Sequence, residues 1–119
     1  MTPVLFLLAA AAGGVGAAAR YAIDVGVARL TGTRFPWGVF VINVVGSFVL
    51  GMVTAALPAG VFVIGVGLLG GFTTFSTAML DTVALWSEGA RRASAFNAVG
   101  MLVAGILAAG AGLALGAVI

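Results

Sequence analysis

Four stretches of this 119-residue chain are each long and apolar enough to cross a lipid bilayer, with little charge to interrupt them. A helix needs about 20 apolar residues, each adding about 1.5 Å, to span the hydrocarbon core. The first run goes from about Pro3 to Tyr21 or slightly beyond, and a short amphipathic tail, AIDVGVARLTGTRF, follows it. The second covers about Pro36 to Leu57, the third about Val61 to Trp86, and the fourth about Ala93 to Val118. Pro3 and Pro36 open their runs where a helix loses nothing by a missing N–H. Pro58-Ala59-Gly60 is a tight, uncharged turn, and SEGARR turns the chain before the last run. The pattern predicts an all-α membrane protein, with one four-helix domain over residues 1–119.

Composition closes off the alternatives. Charged residues make up 7% of the chain, against roughly 25% in ordinary soluble domains. Eight charged side chains cannot cover a soluble surface of this size, so lipid is the solvent. Without cysteine or histidine, thiolate chemistry, disulfides and the usual transition-metal sites are excluded. With no pair of acids at hydrolytic spacing either, an enzyme is not expected. A net charge of +2, dispersed, gives no nucleic-acid footprint. No basic side chain precedes Arg20, so the first run reads as a retained span and not as a cleaved signal.

The arginines predict one orientation. Arg29, Arg34, Arg91 and Arg92 lie in the links after the first and third spans, on one side of the membrane. The other side, with PAG and both termini, has no basic residue. The positive-inside rule puts the arginine links in the cytoplasm and the termini outside. Insertion in both directions would need a balanced distribution. Small residues at GxxxG spacing, Gly67 with Gly71 and Gly112 with Gly116, and the pair Ser47 and Gly51, allow the helix backbones to approach closely.

Polar residues inside apolar spans mark the sites to explain. Arg20, near the cytoplasmic end of the first span, is an interface anchor or part of a positive vestibule, and Asp24 one turn on could pair with it. Asn43, with Ser47 on the same face, must find a partner. It joins two helices or offers its NH₂ to a solute. The run GGFTTFST, residues 70–77, places two glycines and four hydroxyls in the middle of the third span. One reading is a helix broken near Gly70–Phe75, since irregular backbone at membrane depth is tolerated where protein or a watery cavity satisfies it. A break frees carbonyls for a cation and N–H groups for an anion. The other reading is an unbroken helix with hydroxyls bonded back to i−4 carbonyls.

Taken together, GGVGAAARY, INVVGSFVLG and GGFTTFST in four short spans resemble the CrcB/Fluc fluoride channel family, over the whole chain. The resemblance implies an antiparallel dimer of four-helix subunits in the cell membrane, exporting fluoride passively through narrow pores. It also implies a structural sodium ion (Na+) at the dimer centre, held by the backbone carbonyls of Gly70 and Thr73. Asn43 would be the pore amide and Phe75 a pore phenylalanine whose polarised ring edge faces the anion. Arg20 would be the vestibule arginine, with Ser47 and Thr74 among the pore hydroxyls that replace fluoride's water.

The chain also departs from the family pattern. A second phenylalanine is expected where Ala78 stands, and the fourth span lacks the expected tyrosine and Ser/Thr line, having Asn97 near its start and no hydroxyl after it. With the one-sided arginines, this favours a heterodimer with a related subunit of opposite orientation. The competing reading is a small multidrug-type transporter, a proton-coupled dimer of similar size. That chemistry needs a carboxylate embedded in the first span, and none is there. An assembly protein without transport would not need Asn43, the hydroxyl run and Arg20.

Overall fold

The computed structural model describes residues 2–119, which fold into helices measuring 48 × 29 × 24 Å overall. Among the described residues, four helical spans are long and apolar enough to cross a membrane: Pro3–Thr31, Trp37–Ala56, Pro58–Ser87 and Arg91–Val118. The long dimension exceeds the roughly 30 Å of a bilayer's hydrocarbon core.

Local chemistry sets the ends of the spans. Thr2 caps the first, its hydroxyl accepting from the Leu5 N–H at 3.2 Å, with Pro3 in the first turn. That helix does not stop near Tyr21. The tail AIDVGVARLT continues it to Thr31, because nothing in the tail forces a stop before Gly32. Gly32 ends it with φ +81°, a conformation that side chains disfavour. The third span ends in a similar way at Gly89, φ +84°, where the Ala90 N–H reaches back to the Leu85 carbonyl at 2.9 Å. Arg91 then lies over the Trp86 ring, 4.7 Å from its centroid. At the same end, Phe35, Trp37, Phe40 and Phe96 gather, with Phe40 and Phe96 stacked at 5.4 Å. Aromatic rings and exposed arginines at one end suit the membrane–water interface.

Glycines fix how the spans pack. Span one lies against span three, and span two against span four. A Cβ on Gly71 would overlap the Gly13 carbonyl, and one on Gly67 would lie 2.6 Å from the Ala9 oxygen. On the other pair, a Cβ on Gly112 would overlap the Phe48 carbonyl and one on Gly116 would lie 2.5 Å from the Met52 oxygen. Lipid gives helices no hydrophobic reason to associate, so this backbone-to-backbone approach supplies the attraction. Most side chains on the outer faces of the spans are exposed, as a membrane solvent requires.

The third span is not one regular helix. Val61–Leu69 winds in wide turns and Gly70–Phe72 in ordinary α turns. Thr73 (φ −83°, ψ 158°) and Thr74 (φ −148°, ψ 124°) are extended, and the helix restarts at Phe75 and runs to Ser87. The expected break is present within the Gly70–Phe75 stretch, at the two threonines, while Gly70 and Gly71 stay helical.

Candidate functional site

The break has its own hydrogen-bond arrangement. The Thr73 N–H and its hydroxyl both donate to the Leu69 carbonyl, each at 2.9 Å, closing the upper segment. The back-bonded hydroxyl expected of an unbroken helix therefore exists beside the break. The Thr74 hydroxyl caps the lower segment, accepting from the Thr77 N–H at 3.2 Å. Between these two events the i−4 ladder is interrupted.

Asn43 spans the interruption from the second helix. Its Nδ2 donates to the Thr74 carbonyl at 2.8 Å, and its Oδ1 accepts from the Thr74 N–H at 2.9 Å. A primary amide has the donor and acceptor of a peptide group side by side, so the asparagine stands in for a missing stretch of backbone. The second Nδ2 proton goes to the Met101 sulfur of span four at 3.1 Å, a weak acceptor. One side chain thus ties spans two, three and four together. Ser47 bonds back to the Asn43 carbonyl at 2.8 Å.

The break leaves the carbonyls of residues 70 to 73 without their i+4 helical donors, and for two of them the diverted donor is visible. The Gly70 carbonyl would take the Thr74 N–H in a continuous helix, but that N–H goes to Asn43. The Thr73 carbonyl would take the Thr77 N–H, but that goes to the Thr74 hydroxyl. Both residues line an open groove of about 570 Å³ on spans two, three and four. Asn43, Ser47, Thr74 and Phe75 line it too, so six of the seven predicted site residues converge on one concave surface. The Phe75 ring is 78% exposed beside it.

Arg20 is the exception. It is half-buried on span one, away from the groove lining, and forms no ion pair within 4.0 Å among the described residues, so the expected contact with Asp24 is not made. Asp24 packs instead against Gly38 of the second span, where a Cβ would overlap its carboxylate.

Sequence reasoning missed the fourth span's share of the groove. Met101, Ala98 and Gly105 line it, and nothing in their spacing distinguishes them from lipid-facing residues. It also missed a second polar cluster. Asn97 is fully buried, and its Nδ2 donates to the Thr82 hydroxyl at 2.9 Å and the Ala78 carbonyl at 3.3 Å. Ser94 donates to the Thr82 carbonyl at 2.7 Å. The signal was the spacing of Ser94 and Asn97, which places both on one face of a helix. Ala78 is 1% exposed in this cluster, so the place of the expected second phenylalanine is a packing position between spans three and four.

Residues 7–113 match the family described as CrcB-like protein, Camphor Resistance (CrcB). The chain is 43% identical over 117 residues to the fluoride-specific ion channel FluC of Agrobacterium fabrum, covering 92% of this chain and 93% of that protein. It is 45% identical over 122 residues to the fluoride-specific ion channel FluC 1 of Leifsonia xyli, covering 98% and 89%. To FluC 1 of Rubrobacter xylanophilus it is 42% identical over 120 residues, covering 98% and 97%. These relatives are named as ion channels, not as enzymes.

Proposed function

The chain belongs to the CrcB family, and from that premise we propose that it is a subunit of a fluoride-specific channel that lets the anion leave the cytoplasm passively. The observation that carries this reading is the groove, where amide, hydroxyl and aromatic-edge groups meet a broken helix inside an apolar span. Fluoride holds its water tightly, so a path must offer donors in exchange. Asn43 has one to give. An anion that displaces the Met101 thioether, a weak acceptor, can take that Nδ2 proton at little cost, while the other stays on the Thr74 carbonyl. The Thr74 and Ser47 hydroxyls and the Phe75 ring edge extend the polar track. Arg20 acts at a distance, as a vestibule charge that concentrates anions.

The groove is open on one side, which supports a path completed by a second subunit packed antiparallel. At that junction the freed carbonyls of Gly70 and Thr73 fit a sodium ion: they are hard, neutral oxygens without helical partners. A bound sodium would supply positive charge that satisfies the break. Ala78 in a packing position and a fourth span without hydroxyls after Asn97 favour a related, non-identical partner of reversed arginine bias. The termini then lie outside the cell membrane, with Arg29, Arg34, Arg91 and Arg92 in the cytoplasm.

The test is fluoride tolerance in cells lacking their own exporter. Wild type together with such a partner is expected to rescue growth. Asn43→Asp, which puts negative charge where an anion must pass, is expected to abolish the rescue. Unchanged rescue by Asn43→Asp would remove Asn43 from the path, and full rescue by the chain alone would remove the need for a different partner.

A further inference from the structure

We propose that Asn43 is the positioning residue that keeps the Gly70 carbonyl available to a cation, so that the second span controls the ion site on the third. This inference rests on the reading of Gly70 and Thr73 as cation ligands. It arises from a competition visible in the hydrogen bonds. The Thr74 N–H has two possible acceptors: the Gly70 carbonyl four residues back, the ordinary helical partner, and the Asn43 Oδ1, which holds it at 2.9 Å. The amide takes the Thr74 carbonyl at the same time, at 2.8 Å. Two bonds from one planar group hold the Thr74 backbone, and the extended Thr73 before it (φ −83°, ψ 158°) turns the Thr74 N–H away from Gly70.

The Thr73 carbonyl has no such dependence. Its helical partner, the Thr77 N–H, is taken by the Thr74 hydroxyl within the third span itself. The two proposed ligands are therefore released by different means, one local and one supplied by another helix. Removing the Asn43 amide lets Thr74 turn its N–H back to Gly70 and extend the upper helix by a residue, and the cation loses that oxygen. Anything that shifts span two against span three is felt first at Gly70.

The distinguishing feature is what a substitute must keep. An aspartate at 43, ionised or protonated, still offers an oxygen to the Thr74 N–H. A leucine of similar size offers none. The experiment is thermal unfolding of the purified channel in detergent, wild type, Asn43→Leu and Asn43→Asp, over a sodium titration with choline holding ionic strength constant. Wild type is expected to rise in melting temperature with sodium. Asn43→Asp is expected to keep that response even though it conducts no fluoride. Asn43→Leu is expected to need roughly tenfold more sodium for the same shift, the factor set by one competing hydrogen bond. A wild type indifferent to sodium overturns the cation reading itself and this inference with it. A responsive wild type with an equally responsive Asn43→Leu overturns only the coupling. Loss of the response in Asn43→Asp overturns it as well, whether or not the leucine variant folds.

Discussion

Asn97, fully buried, and Asn43, half-buried, do different work against the same third span. Asn97 docks on a stretch of span three whose backbone ladder is intact, bonding the Ala78 carbonyl and the Thr82 hydroxyl. Its Oδ1 is buried without a partner among the described residues. Asn43 docks on a stretch whose ladder is broken, and both ends of its amide are used. Around Asn97 the spans close completely, whereas around Asn43 they leave a groove. An inter-helix amide in lipid is therefore not by itself a sign of a site. It becomes one where the backbone it touches has lost its own partners, because the surplus polar atoms must then be satisfied from outside.

Substitutions in matched pairs can break or sharpen this contrast. The largest difference is expected between Asn43→Leu and Asn97→Leu. The first should stop fluoride flux through liposomes holding the chain and the proposed partner, and cost about 1–3 kcal/mol for the Thr74 carbonyl left without a donor. The second should leave flux within about twofold and stability within about 1 kcal/mol, since an oxygen with no partner leaves with the amide. Equal losses of flux in both would erase the distinction.

A smaller difference is expected between the threonines. Thr74→Val removes the cap that restarts the helix, costing about 1 kcal/mol and slowing flux, because the Thr77 N–H is then free to take the Thr73 carbonyl. Thr82→Val removes the acceptor for Asn97, at about 0.6–1.7 kcal/mol, with flux unchanged. Denaturation and efflux, measured on the same preparations, separate the two. The serines should differ least. Ser47→Ala loses only a bond within its own helix, so stability should stay within about 0.5 kcal/mol while flux falls a fewfold. Ser94→Ala loses an inter-span bond worth about 0.6 kcal/mol without touching flux. A flux effect at Ser94 larger than that at Ser47 would put the path on the wrong side of span three.

Much of this was legible in the sequence, for physical reasons. Four spans follow from length and apolarity, and glycine pairs such as Gly67 with Gly71 point to close packing without knowledge of the partner helix. The hydroxyl run leaves a break and a back-bonded helix both open, because six small or polar residues in lipid need a reason to be there, and the family resemblance decides for the break. The break falls inside the expected Gly70–Phe75 stretch, but which of those residues it takes was not legible. Gly70 and Gly71 suggest the weak spot, yet they stay helical, because Gly71 packs on the Gly13 backbone and the threonines carry the capping hydroxyls. The continuation of the first helix to Thr31 was hidden by an amphipathic tail that looks like a link. The partner of Asn43 was out of reach too: Thr74 is 31 residues away and Met101 is 58, and no local pattern announces a long-range contact. Asn97, noted only as a polar residue at the start of a span without the expected hydroxyls, is the centre of a packed joint.

The most direct measurement is efflux of fluoride and of chloride from liposomes containing the chain with the proposed partner subunit, potassium being made permeant to balance charge. Rapid release of fluoride, retention of chloride, and no release of either with Asn43→Leu are expected. Chloride leaving as fast as fluoride, or fluoride flux that survives Asn43→Leu undiminished, would contradict that expectation.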